Sequence, residues 1–362
     1  MMSIINKLEK HERLSYEDGL KLYELDLFTL GHFADLRRKS LWGKKVYFNI
    51  NRHINPTNIC KDICKFCAFS ANRKNPNPYK YTKQEVLKIA ENACNRGIKE
   101  VHIVSAHNKE YDLYWYIDIF KEIKARFPNL HIKALTAAEV HFLSTLHNAS
   151  YDEILDKMIE SGVDSMPGGG AEIFNEKVRS YICKGKVDSK NWLKIHELWH
   201  KKGKFSNATM LFGHVEERKD RIDHMLRLRD IQDKTGGFNA FIPLVYQRDN
   251  NYLKVDKFLG SQEILKTVAV SRLILDNIPH IKAYWATATL NLAMVAQEFG
   301  ADDLDGTIEK EAIQSAGGAK SADGQDLKDF LDIIITSGFT PVQRDSLYNE
   351  LKIYGESDCA VC

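Results

Sequence analysis

Three cysteines stand close together in "NICKDICKFCAF", at Cys60, Cys64 and Cys67, with C-x3-C-x2-C spacing. Thiolates are soft ligands that suit zinc or iron–sulfur centres. A structural zinc site closes with four ligands, often as two C-x2-C pairs. Here there is one such pair, and no second pair lies near it. Ordinary ferredoxin spacing also needs a fourth cysteine. A four-iron cluster held by three thiolates would leave one iron free of protein ligands, and that iron could bind a substrate. The other cysteines carry less. Cys94 and Cys183 read as small apolar residues. Cys359 and Cys362 form a terminal "CAVC" that could bind metal or exchange thiols, or be a plain tail.

The elements that must position the triplet alternate along the chain. "KVYFNINRHI", Lys45 to Ile54, reads as one β-strand running into the cysteines. Six more strands follow, each after a helix: "EVHIVSA", "HIKALTA", "VDSMPGGG", "FSNATMLFG", "FNAFIPLVY" and "HIKAYWATA". Strand–helix alternation of this kind predicts a parallel sheet with right-handed crossovers. No G-x-G-x-x-G follows the first strand, so the expected class is an α/β TIM-type barrel, complete or partial. Leucines spaced by three and four predict a helical extension over residues 1–44. The barrel is expected over residues 45–300. A glycine-rich segment and two short helices over residues 301–362 read as a C-terminal cap.

Barrel enzymes carry chemistry on the loops after their strands. The polar and glycine residues fall there: the cysteines, then Ser105 and His107, Glu139, Gly168 to Gly170 with Glu172, His214, and Arg248. Three glycines let backbone approach a ligand closely. Glu172 also suits the first turn of a helix, which favours acids. No G-x4-G-K-[ST] is present, so phosphate-loop binding is not expected.

Bulk properties narrow the classes further. The 362 residues carry 51 basic and 49 acidic side chains, a net charge of +2, which argues against a nucleic-acid partner. The N-terminus is charged throughout and lacks a signal-peptide core. No apolar run of about 18 residues occurs, so no membrane span is expected and the location reads as cytoplasmic.

The triplet at the end of the first strand, with Phe66 just before its last cysteine, resembles the radical S-adenosylmethionine (SAM) superfamily. The resemblance implies a [4Fe–4S] cluster on Cys60, Cys64 and Cys67 whose open iron chelates the amino and carboxylate groups of SAM. One electron from an external reductant, such as a flavodoxin or ferredoxin, then gives methionine and a 5′-deoxyadenosyl radical. Phe66 would lie beside the adenine, and the loop after the second strand would meet the methionyl amino group. That loop reads "SAHN" where the superfamily is usually glycine-rich, but Ser105 and Ala106 are small enough for close approach. Backbone at Gly168 and Gly169 would approach the ligand, and Glu172 would accept hydrogen bonds from the SAM ribose.

Four longer strings, "NRHINPTNICKDICKFCAF", "SMPGGGAEIF", "IQSAGGAKSADG" and "GFTPVQRDSLY", resemble the futalosine branch of menaquinone biosynthesis. Within it they are most similar to the aminofutalosine synthase family, over roughly residues 40–352. The implied reaction adds the adenosyl radical to the enolpyruvyl double bond of 3-[(1-carboxyvinyl)oxy]benzoate. Rearrangement builds a bond to the ring, carbon dioxide leaves as bicarbonate, and 6-amino-6-deoxyfutalosine forms. The substrate has two carboxylates. Candidates to hold them are His53, His107, His214, Arg248 and Arg344, the arginines because their fork matches a carboxylate. Each also has an ordinary reading, as a surface ion pair or a structural histidine. Two alternatives stand beside this one. One is the cyclic dehypoxanthinyl futalosine synthase of the same branch. The other is a non-catalytic iron–sulfur or zinc scaffold.

Overall fold

In the computed structural model the described residues are 2–71, 77–256, 259–321 and 324–359; Cys362 falls outside them. Eleven strands occur among them: β1 (Lys45–Asn49), β2 (Asn51–Ile54), β3 (Glu100–Ile103), β4 (His131–Ala134), β5 (Ser165–Met166), β6 (Phe205–Phe212), β7 (Phe238–Val245), β8 (His280–Ile281), β9 (Asp303–Gly306), β10 (Thr340–Arg344) and β11 (Glu350–Ile353). Strands β2 to β8 form one seven-stranded sheet in sequence order, with every recorded pairing parallel. Helices alternate with them, as the sequence predicts for a TIM-type barrel.

Local chemistry starts several of these helices. Thr82, Thr136 and Ser150 each cap the backbone of a glutamate three residues on, and the glutamate reaches back to the cap. Such reciprocal capping satisfies two helix-end donors at once. One of these glutamates, Glu139 after Thr136, also accepts from Ser105 N in the loop after β3.

The sheet is open between β8 and β2, and β9 spans the gap. Asp302 N donates to Ile281 O at 3.0 Å and Ala283 N to Asp303 O at 2.8 Å on the β8 side. Thr307 N donates to Asn49 O at 3.0 Å and Glu309 N to Asn51 O at 3.3 Å on the other. The barrel is therefore partial in its sheet and bridged by backbone hydrogen bonds.

Two expectations change here. The run from Lys45 to Ile54 is two strands, because β1 leaves the barrel to join a second sheet of order β11-β10-β1-β9. Of the short helices expected after the glycine-rich stretch, one α-helix, Leu327–Thr336, follows it and leads into the antiparallel pair β10 and β11; another, Ile313–Ala316, lies inside the stretch. The three N-terminal helices, Met2–Glu9, Tyr16–Leu22 and Leu27–Trp42, lie as the leucine spacing suggests. Among the described residues no helix is long and apolar enough to cross a membrane.

Candidate active site

A cavity of about 300 Å³ opens at the C-terminal ends of the barrel strands and runs down into its interior. Its rim is the loop after β2. Backbone contacts pin that loop: Lys65 N donates to Ile182 O at 2.7 Å, and Lys65 O accepts from Tyr252 N at 2.7 Å. Asn58 ties both ends, with its carbonyl accepting from Ala71 N at 2.7 Å and its side chain donating to Asn77 O at 3.0 Å.

Cys60, Cys64 and Cys67 all line the cavity. Among the described residues no three His, Cys, Asp or Glu side chains converge as they would on one metal ion. Three thiolates at this spacing are soft ligands of the kind that hold iron–sulfur clusters. Sγ of Cys60 accepts the backbone N–H of His107 at 3.4 Å. Burial pushes all three thiols above their ordinary value, and Lys186 acts in the opposite direction. A nearby metal centre would favour the thiolate in the same sense. The donor set fits the cluster that the sequence implies.

The residues expected around SAM share this cavity: Phe66, Ser105, Ala106, Gly168, Gly169 and Glu172 all line it. Ser105 N donates to Glu139 Oε1 at 2.8 Å and Ala106 N to Thr57 O at 3.3 Å, so this loop is held from behind. Gly168 is required by packing: a Cβ there would lie 2.7 Å from Asn207 O and 2.8 Å from the carbonyl carbon of Ala208. Gly170 has φ of +86°, in the left-handed region that favours glycine. Glu172 is buried and its Oε1 lies 2.6 Å from Nζ of Lys186. Burial would raise that carboxyl, but Lys186 holds it below the ordinary range.

The five candidates for substrate carboxylates separate. His53 and His107 line the cavity, while His214, Arg248 and Arg344 do not. His107 is committed to the loop: its Nδ1 lies 2.8 Å from Asp62 Oδ2, and its ring stacks on Phe142. His214 is tied to Glu216 and to Leu211 O. Arg248 is exposed and donates to Val255 O. Arg344 is buried on β10, with Nε 2.5 Å from Asp303 Oδ2.

Sequence reasoning missed further charged residues of the cavity. Glu100, His102, Lys133, Lys186 and Asp305 also line it. A signal for three of them existed. Parallel strands covered on both faces normally read as unbroken apolar runs. Yet "NRHI", "EVHI" and "HIKA" carry polar residues at alternate positions, which places them on one face.

Comparisons with known proteins show the family and the fold. Residues 54–228 match the model of the radical SAM superfamily. Residues 235–356 match that of the CofH/MqnC C-terminal region. The chain is 41% identical to an aminodeoxyfutalosine synthase of Thermus thermophilus, over 98% of this chain and 96% of the relative. The chain belongs to the radical SAM superfamily. It is 39% identical to an aminodeoxyfutalosine synthase of Streptomyces coelicolor, over 98% of this chain and 95% of the relative. With a cyclic dehypoxanthine futalosine synthase of the same organism the identity is 33%, over 98% and 90%. Among solved structures, methylornithine synthase superposes with a TM-score of 0.74 at 17% identity, covering 93% of this radical SAM chain and 97% of its own. At that identity the likeness speaks for the fold.

Proposed function

We propose that this radical SAM enzyme is an aminodeoxyfutalosine synthase, which joins the 5′-deoxyadenosyl group of SAM to 3-[(1-carboxyvinyl)oxy]benzoate and releases carbon dioxide as bicarbonate. One observation carries the reading: end-to-end identity of 41% and 39% with two such synthases, against 33% with a cyclase of the same branch.

In this reading Cys60, Cys64 and Cys67 hold a [4Fe–4S] cluster. When bound, the cluster supplies the electron that cleaves SAM to methionine and the adenosyl radical. The chain's own residues place the partners. Phe66 forms the wall for the adenine, and Ser105 and Ala106 border the methionyl end. Gly168 and Gly169 keep the opposite wall low, and Glu172 accepts from the ribose hydroxyls. Holding the reacting carbons at contact distance in the cavity favours addition over escape of the radical. The electron comes from an external one-electron reductant, such as a flavodoxin or ferredoxin.

The test is product mass. Reconstituted, reduced protein is incubated with SAM and the enolpyruvyl benzoate. A product that retains adenine and has lost carbon dioxide supports the synthase. Free 5′-deoxyadenosine as the main product points to the hydrogen-abstracting cyclase. Zinc without sulfide in the purified protein would overturn both in favour of a scaffold.

A further inference from the structure

The floor of the cavity is a patch of polar side chains on three strands in register. His53 of β2, His102 of β3 and Lys133 of β4 are direct cross-strand neighbours. Asn51 and Glu100 form the row beneath them. Residues two apart on a strand share a face, and all five line the cavity. Five polar side chains inside a parallel barrel have no part in the cluster or in the SAM wall.

Some of these groups satisfy one another. Lys133 Nζ lies 3.1 Å from Glu100 Oε2. Asn51 Nδ2 donates to Glu100 Oε1 at 3.4 Å, while its Oδ1 accepts from Ile308 N at 3.0 Å. Asn51 thus anchors Glu100, and Glu100 anchors the ammonium. Other donors stay open. An ammonium has three N–H donors, and among the described residues that of Lys133 bonds Glu100 alone. His102 Nδ1 faces His53 Nε2 at 3.2 Å, and its Nε2 is buried with no partner. Burial lowers both imidazoles, His53 to about 4, so both rings are neutral near pH 7. When His53 Nε2–H donates to His102 Nδ1, the His102 proton sits on the buried Nε2, a donor with no partner among the described residues.

The geometry points to a carboxylate subsite on this floor, in which Lys133 and His102 bind the ring carboxylate of the substrate and His53 sets the His102 tautomer. The assignment of that particular carboxylate rests on the functional reading above. The reacting double bond must meet the adenosyl carbon near the cysteine rim. The enol carboxylate is attached to that same double bond and stays near the rim with it. Only the ring carboxylate, across the aromatic ring, can reach downward. The floor lies two residues along β3 below Val104, or about 7 Å at the usual strand rise.

Calorimetry on the reconstituted holoenzyme with SAM tests the site, using 3-methoxybenzoate and its neutral amide as probes. Lys133→Met alone would strand Glu100 as an unpaired buried charge, so the informative variant is Glu100→Gln/Lys133→Met, checked by circular dichroism. Wild-type protein should prefer the anion by on the order of 10- to 100-fold, the range of a charge-assisted hydrogen bond. The preference should fall to about 1 in the double variant and shrink in His102→Phe. A folded double variant that keeps the wild-type preference overturns the subsite, and so does wild-type protein that binds the amide as well as the anion. Failure of the functional reading shows separately, as absence of the adenine-containing adduct from wild-type protein.

Discussion

Nζ of Lys186 lies 2.6 Å from Oε1 of Glu172, and both side chains border the cavity beside the cysteine loop. The same ammonium is 5.8 Å from the centroid of the Phe66 ring. Glu172 takes a left-handed backbone conformation, φ +47°, and its carbonyl accepts from Leu211 N at 2.7 Å. One ion pair therefore fixes the wall on which the cluster loop and the proposed ribose contact meet.

Removing Lys186 leaves a carboxylate buried without its counter-charge. Lys186→Met is expected to cost about 3–5 kcal/mol of stability. The paired variant Glu172→Gln/Lys186→Met should recover most of that loss. Urea unfolding of the apoprotein measures both. A loss below about 1 kcal/mol in the single variant would contradict the burial of the pair.

Cys64→Ala removes one of three thiols without touching the sheet. After anaerobic reconstitution the variant should lose its iron and sulfide and show no SAM cleavage. The far-ultraviolet circular dichroism of the apoprotein should match the wild type. Retained cleavage would remove Cys64 from the ligand set.

Gly168 packs its α-carbon against the backbone of β6, which cannot swing aside as a side chain would. Gly168→Ala should therefore cost about 1–3 kcal/mol by overpacking. It should also weaken SAM binding, because β5 must move to make room. Gly260→Ala, where a Cβ meets nothing within 4 Å, serves as the control.

The cysteine triplet was legible because its spacing is itself the chemical signal. The parallel strands were legible because each helix–strand alternation repeats the same pattern. Other features had no such signature. "KVYFNINRHI" keeps one hydrophobic rhythm across Ile50, so nothing local marks where the chain passes from one sheet to the other. Arg344 looked available because sequence does not reveal that Asp303 lies beside it, 41 residues away. Lys186 is one lysine among many, and only the fold brings it to Glu172. The alternating polar residues of β2, β3 and β4 are the instructive case. Their period was present, but it marks the barrel interior only once the strands are known to be covered on both sides.

Arg344 and the substrate are separated by the same logic. Arg344→Met should destabilise the fold by about 3–5 kcal/mol, because it abandons Asp303 in the core. Arg344 does not line the cavity. The KM for the enolpyruvyl benzoate should therefore stay within about twofold of wild type in protein that remains folded. A KM increase of tenfold or more at 20 °C, with the fold verified, would return Arg344 to the substrate site.

Acid should weaken the charged groups beside the floor. Asp305 is partly buried, and its Oδ1 lies 2.7 Å from Lys282 Nζ, which is itself almost fully buried. Burial alone would raise this carboxyl, but Lys282 and Arg344 pull it from 3.8 down to about 2. A carboxyl depressed in the folded state contributes stability above its unfolded value, and the contribution is lost as pH falls through the folded one. The drop corresponds to about 2 kcal/mol. Wild-type protein should lose that increment between about pH 4 and pH 2, on top of losses from other carboxylates. Asp305→Asn lacks it at every pH, so its stability should sit about 2 kcal/mol below wild type at pH 7 and converge with it near pH 2. Urea unfolding across that range reads the difference directly, and parallel curves for the two proteins would show that Lys282 does not hold Asp305 ionised.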